Sequence, residues 1–289
     1  MKGGLLLVAC GLSSCLLPRV ELDQSLNSGG GGAGAPAMSC GTLMPAANDA
    51  RCCVATGTAA DLAIEDLEDG NNAILPIGER QGYWYTYGDS TAKVLPPSDG
   101  NSDFPPTAGG HPCSLVPAPP ACAGMPGGTG YSAGISGSLM PTTMTAPTYA
   151  GLGFDFNNHF LKACPYNAGA YAGISFWAKG NMPLQAQILI SATTSPASYT
   201  SGTCDGTPAT CSNHFSIAVP AGDGTTWKQF LITFPTPGRV LPSTDLAQRT
   251  SGTPAVFNAA DILTMHFQVN GSSTPESYNF SIDDIAFTR

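Results

Sequence analysis

The sequence predicts an all-β fold built as a two-sheet β-sandwich, and three observations carry that expectation. Short runs of alternating apolar and polar residues recur through the second half of the chain. The 35 glycines and 25 prolines punctuate them as turns, and helix signals are scarce. With 42% hydrophobic residues, 12 Phe, 9 Tyr and 3 Trp in 289 residues, there is enough apolar material for one substantial core, so one large β domain fits better than two small ones.

The chain opens with MKGGLLLVACGLSSC, which has one positive charge, a short apolar core and Leu12-Ser13-Ser14 directly before Cys15. The pattern resembles a bacterial lipoprotein signal over residues 1–15, with Cys15 as the lipidated residue and an anchor in the membrane. A plain secretory signal is the alternative, and Cys10 closes a second, weaker lipobox. The aliphatic Leu16 after Cys15 resembles the pattern of lipoproteins sent to the outer membrane. Residues 16–60, with GGGGAGAPA at their centre, read as a Gly-rich tether, although Cys40, Cys52 and Cys53 give its second half a means of attachment to the domain.

The folding part is expected over residues 61–289. It begins at AIEDLEDG, where Glu65, Asp66, Glu68 and Asp69 put four carboxylates within five residues of a chain that is only 11% charged. It ends at NFSIDDIAF, interrupted by Asp283 and Asp284. If the first and last strands of a sandwich lie side by side, these carboxylates meet around a hard cation such as Ca²⁺, which takes about six to eight oxygen ligands. The alternative is a solvated acidic edge that discourages strand-to-strand aggregation.

Between these ends, GYWYTYGD sets Tyr83, Tyr85 and Tyr87 on one face and Trp84 and Thr86 on the other. Residues 96–130 hold nine prolines and read as a long inserted loop. Cys113 with Cys122, and Cys204 with Cys211, each bracket a Gly/Pro/Thr-rich excursion and are expected to pair. The connectivity of Cys40, Cys52, Cys53 and Cys164 is open. Cysteines without zinc-module spacing indicate an oxidising compartment.

From residue 151 the alternation is regular. GFDFN buries Phe154 and Phe156, LQAQILIS buries Ile188 and Ile190, NHFSIAV buries Phe215, Ile217 and Val219, and LTMHFQV buries Met265, Phe267 and Val269, with KQFLITF following the same rule. The outward set is Asp155, Asn157, Trp177, Gln187, His214, His266 and Gln268. It lacks the Lys and Glu of an idle strand surface. Amides, imidazoles and a carboxylate bond to sugar hydroxyls while a ring stacks on the pyranose face, with Trp177 the first choice for that ring and Tyr85 the second. Alternation alone does not say whether these residues share one face.

The formal charge of −9, with only 11 scattered Lys and Arg, argues against a nucleic-acid partner. No G-x-S-x-G elbow, H-E-x-x-H or P-loop is present, and nothing sets a second carboxylate opposite Asp155 for glycoside hydrolysis.

The order IEDLEDG, GYWYTYGD, GFDFN, GISFWAKG and SIDDIAF resembles that of the galactose-binding-like jelly rolls among non-catalytic carbohydrate-binding modules, in particular the β-glucan-binding kind. The resemblance implies a jelly-roll sandwich, a monomer that binds a polysaccharide or oligosaccharide, and a structural calcium at Glu68 and Asp283 or Asp284, with Asp66 a further candidate. The reading is therefore a lipid-anchored envelope or secreted protein that binds carbohydrate without turning it over. An envelope adhesin and a jelly-roll polysaccharide-degrading enzyme are the alternatives.

Overall fold

The computed structural model describes residues 45–46, 49–58, 60–67, 72–89, 93–95, 107–108, 131–141, 148–158, 163–196, 199, 201–205, 211–235, 246–248 and 255–289. All belong to one compact unit, Ala35–Arg289. Cys15, Glu68, Cys113 and Cys122 lie outside the described residues.

In chain order the strands are β1 (Pro45–Ala46), β2 (Asp49–Cys53), β3 (Ala55–Thr56), β4 (Ala63–Glu65), β5 (Trp84–Gly88), β6 (Lys93–Leu95), β7 (Thr107–Ala108), β8 (Tyr131–Leu139) and β9 (Tyr149–Asp155). They continue as β10 (Tyr166–Asn167), β11 (Gly173–Gly180), β12 (Leu184–Ile190), β13 (Phe215–Val219), β14 (Lys228–Thr233), β15 (Ala247–Gln248), β16 (Ile262–Asn270) and β17 (Glu276–Thr288). Among the described residues the only helical pieces are 3-10 turns at Ser191–Thr193 and Ala259–Asp261.

Two large sheets result, as the alternation predicts, beside a two-stranded pair of β1 and β2. The larger runs β15–β13–β12–β16, and β16 is then flanked by β9 and β5 along most of its length and by β10 and β3 at its start. The smaller runs β14–β11–β17–β8–β6, with β4 beside β17 and β7 beside β8. Their inner faces bury Phe154, Ile188, Ile217, Met265 and Phe267 from one sheet against Ile174, Phe176, Ile232, Phe280 and Ile282 from the other. Phe176 and Phe267 meet edge to face across the core at 5.0 Å. Each such side chain removed from water contributes about 1.5–3 kcal/mol, and the period of two leaves the opposite residues of every strand facing outward.

Four features adjust the sequence reading. The sheets begin before Asp61: β1 pairs with β2, and β3 joins the larger sheet by parallel pairing with β10. The disulfide Cys204–Cys211 is present, and Cys164 is also disulfide-bonded. Part of the inserted segment 96–130 is a strand, β7, paired with β8. The fourth is a bulge in β17 at Asp284, which takes a left-handed φ of 46°, while the register against β11 slips between Ser175 and Trp177. Ile282 and Ile285 consequently both face the core, and Asp283 turns to the outer side of the smaller sheet.

The first and last sandwich strands are adjacent, β4 lying antiparallel to β17 with Glu65 opposite Ile285. A buried arginine secures that junction. Arg80 donates through its guanidinium to the carbonyls of Asp61 and Ala63 and to the Tyr166 hydroxyl, and it lies over the rings of Tyr166 and Phe287. Arg80→Met would leave those acceptors unmet, and we expect a loss of about 3 kcal/mol in urea unfolding, because hydrogen bonds to charged groups are each worth about 1.5–3 kcal/mol.

Candidate functional site

The outer face of the larger sheet collects most of the polar set. One row of registered residues crosses it as Tyr85 (β5), Gly153 (β9), His266 (β16), Gln187 (β12) and Ser216 (β13). The next row is Tyr87, Gly151, Gln268, Gln185 and Ala218. From β5 to β13 there are four inter-strand gaps, about 19 Å at the usual spacing. No Lys or Arg occupies either row.

Two glycines shape this surface. A Cβ on Gly151 would come within 2.5 Å of the Tyr87 ring, and one on Gly153 would come within 2.4 Å of the His266 ring. Without those carbons both rings fold over β9. Tyr87 and His266 approach to 4.4 Å between centroids at 31°, Tyr85 meets His266 edge-on at 5.8 Å, and Tyr149 lies 6.3 Å from Tyr87. The result is a half-buried aromatic floor with amides on its far side, where Gln187 donates to Gln185 and Gln268 donates to Asn270.

A hydrogen-bond network lies at one end of this floor. The Tyr85 hydroxyl is 2.8 Å from His266 Nε2 and 3.1 Å from the Tyr199 hydroxyl, which is itself 3.4 Å from the same nitrogen. Behind them Asp155, 6% exposed, accepts from Thr264 Oγ1 at 2.8 Å and Asn158 Nδ2 at 2.7 Å. Burial pushes its carboxyl up to about 6, partly offset by hydrogen bonds from Thr264, Asn158 and Tyr85. Burial also pulls His266 down to about 3, with a smaller contribution from His214, and His214 itself down to about 4. Both imidazoles are therefore neutral at ordinary pH, and burial holds the Tyr85 and Tyr87 phenols well above their usual range.

Of the sequence candidates, the structure brings together Tyr85, Asp155, Gln187, His266 and Gln268. His214, just ahead of β13, has its own 3.1 Å contact between Nδ1 and Thr193 Oγ1 and is linked to the set only by the charge it would exert on His266. Asn157 does not present its amide to a ligand: it is 1% exposed, donates to the Pro165 carbonyl and accepts from Gln81. Trp177 is on the other sheet. It faces outward from β11 between Gln229 and Asp283, is 6% exposed, and the whole core separates it from Tyr85. Tyr87 shares the parity of Tyr85 and Gln185 that of Gln187, whereas Tyr149 and Tyr199 were not singled out. The alternate glycines of GLG in β9 are the signal that points to rings lying over this strand; nothing in the sequence points to Tyr199, which arrives from a loop.

Among the proposed calcium ligands, Asp283 is fully buried, its Oδ1 accepts from the Asp284 backbone N–H, and Lys179 feels its charge. Asp66 and Asp284 are half-buried. Among the described residues no group of three or more His, Cys, Asp or Glu side chains is arranged to hold a metal.

No family model matches the sequence, and neither does any curated protein. Solved structures do resemble the fold. The family 11 carbohydrate-binding module of the cellulosomal cellulase Lic26A-Cel5E of Clostridium thermocellum is similar over 78% of this chain and 94% of its own, at 16% identity and a TM-score of 0.44. The family 11 module from the same organism in complex with a β-1,3-1,4-mixed-linked tetrasaccharide is similar over 71% of this chain and 88% of its own, at 17% identity and a TM-score of 0.38. An exo-β-agarase is similar over 80% of this chain but 25% of its own, at 8% identity and a TM-score of 0.38.

The shifted groups make stability depend on pH. The folded imidazoles of His214 and His266 resist protons that the unfolded chain takes up near 6.5, so their contribution is present above 6.5 and falls away as pH drops through about 4 and about 3. Asp155 acts in the opposite sense: its contribution is full below 3.8 and is lost as pH rises through about 6. In urea unfolding between pH 6.5 and 4, His266→Gln should flatten the decline in stability and Asp155→Asn should steepen it.

Proposed function

We propose that the outer face of the larger sheet binds a neutral carbohydrate chain without cleaving it. The observation that carries this reading is the floor made by Gly151 and Gly153, over which Tyr87 and His266 lie beside Tyr85, with Gln185, Gln187 and Gln268 across the next strands. Such rings stack on the apolar faces of sugars, worth about 0.5–1.5 kcal/mol each beyond area burial if aromatic pairs are the guide. Amides and a neutral imidazole then meet hydroxyls in both donor and acceptor senses. Registered rows without Lys or Arg suit uncharged glycans better than uronates or sulfated chains.

Hydrolysis fits this face poorly. Glycoside cleavage uses two carboxyl groups flanking the bond, and the strand positions of the face carry one, Asp155, which is already bonded to Thr264 and Asn158.

The test is affinity electrophoresis against a panel of soluble neutral polysaccharides, with reducing ends assayed alongside. Retardation by one glycan class and no released ends is the expected result. Tyr87→Ala should weaken binding about tenfold, matching roughly 1.4 kcal/mol, and Trp177→Ala should leave it unchanged. Binding that survives Tyr87→Ala but fails in a folded Trp177→Ala variant would move the site to the other sheet.

Calcium belongs to the same reading as a lock on the terminal strands, supported by the β4–β17 pairing alone, since Asp66, Asp283 and Asp284 do not form a metal-holding group among the described residues; Glu68 would have to complete the set. With chelator, thermal unfolding should show a lower melting temperature while glycan retardation in the electrophoresis stays unchanged. Cys15 would carry the lipid anchor of an envelope protein, and loss of labelled fatty acid in Cys15→Ser tests that part.

A further inference from the structure

We infer that the connection between β12 and β13 walls off one side of this face and that Tyr199 is a specificity-determining residue in that wall: the face takes an unbranched neutral polysaccharide lying across the strands and rejects chains that carry side branches. The inference rests on the carbohydrate-binding reading above and names the class of chain which that reading admits.

A gradient of burial along the strands carries the argument. The outward positions form parallel rows that cross β9, β16 and β12, neighbouring rows standing about 6.6 Å apart because two residues separate them. Asp155, Thr264 and Leu189 make the first row, and all three are buried. In the second, His266, Gln187 and Ser216 are buried as well. The third row, Tyr87, Gln268 and Gln185, is half-buried, and Asn270 beyond it is exposed. Leu189 marks the covered end most plainly: it points away from the core between the sheets and is still only 1% exposed.

The connection that follows β12 is packed against that end and folds back on itself. Thr203 N–H donates to Ser191 O and Cys204 N–H to Thr194 O, and at Gly202 the two passes run so close that a Cβ would come within 2.3 Å of Thr194 O. The Thr193 and Thr194 hydroxyls donate to Ile190 O, Ser191 Oγ donates to Asp261, and the Cys204–Cys211 disulfide ties the return to the approach to β13. From this frame Tyr199 bridges β5 and β16 across Gly153, its hydroxyl 3.1 Å from that of Tyr85 and 3.4 Å from His266 Nε2.

What stays open is a band one row wide, from Tyr87 through Gln268 to Gln185, parallel to the wall. A polymer following it crosses the strands with one edge toward Tyr85 and Tyr199 and the other toward Asn270 and solvent. In a β-1,4-linked chain successive sugars are turned over, so substituents on adjacent sugars emerge from opposite edges. A heavily branched chain cannot keep them all on the solvent side, and those on the wall side meet the Tyr199 ring. Specificity then comes from a clash with the wrong chain as much as from contacts with the right one.

The experiment is affinity electrophoresis of the full chain against two pairs of soluble polysaccharides, mixed-linkage β-glucan with xyloglucan and glucomannan with guar galactomannan, the second of each pair being the branched one. The wild type should bind the linear member of a pair about tenfold more tightly than the branched one. Tyr199→Ala, which removes the ring and both hydroxyl contacts, should bind the branched member about fivefold better than the wild type does and the linear member about equally well. A damaged fold would lower both, so this gain is a readout that a merely structural role would not move. Tyr199→Leu, smaller than tyrosine but still apolar, should show the same gain and replaces Tyr199→Ala if that variant does not fold. Equal affinity of the wild type for linear and branched chains, or a wild-type preference that persists in the folded variant, overturns the inference and leaves the carbohydrate reading standing. If no polysaccharide retards the protein, the carbohydrate reading fails and this inference fails with it.

Discussion

The face described here depends on a steric constraint at the centre of one strand. In β9, Gly151 and Gly153 present no Cβ toward the outer surface, and the side chains of β5 and β16 close over the space this leaves. Glycine in a strand interior weakens the strand. Here that cost accompanies a specific gain, since Tyr87 and His266 lie low over the sheet instead of standing up from it. An outward residue of ordinary size at either position would separate the rings and convert a continuous floor into isolated side chains.

Burial then fixes the electrical character of that floor. The rings desolvate one another, which keeps both imidazoles neutral and lets Asp155 hold or release a proton in a range where its exposed counterparts are always ionised. The other sheet is organised differently. Its outer side carries Lys179 over Trp227, together with the Asp283 carboxylate and Trp177. Two outer faces of one sandwich thus have distinct chemistries, one aromatic and without Lys or Arg in its registered rows, the other with a cation close to an anion.

The sandwich was legible because the period-two alternation in β9, β12, β13 and β16 survives through most of each strand: Phe154, Ile188, Ile217 and Phe267 are all buried, as their spacing requires. The aromatic alternation of β5 was legible too, although only the sheet resolves that Trp84 enters the core and Tyr85 and Tyr87 do not. What alternation cannot supply is which sheet a strand joins. Trp177 has the right parity for an outward ring and the wrong sheet, a distinction set by pairing with β14 and β17. Asn157 has outward parity one step past the end of β9, where the chain turns and its amide is used to tie Pro165 and Gln81 together. The bulge at Asp284 was hidden for a related reason: an inserted residue reverses parity midway along β17, and the sequence shows it only as a break in apolar spacing.

The short parallel pairing of β3 with β10 matters for anyone preparing this domain in isolation. Beyond the pairing itself, Gly57 N–H donates to Asn167 O, Thr56 N–H to the Glu79 carboxylate, and the Tyr171 hydroxyl reaches the carbonyls of Thr58 and Asp61. A fragment cut at the sequence-based boundary, Asp61, would strip away this strap and leave the backbone of β10 as an open edge ready to pair with another molecule. Cutting ahead of Ala55 keeps the strap in place, so the boundary of the sandwich is set by main-chain bonds that precede the first carboxylate cluster.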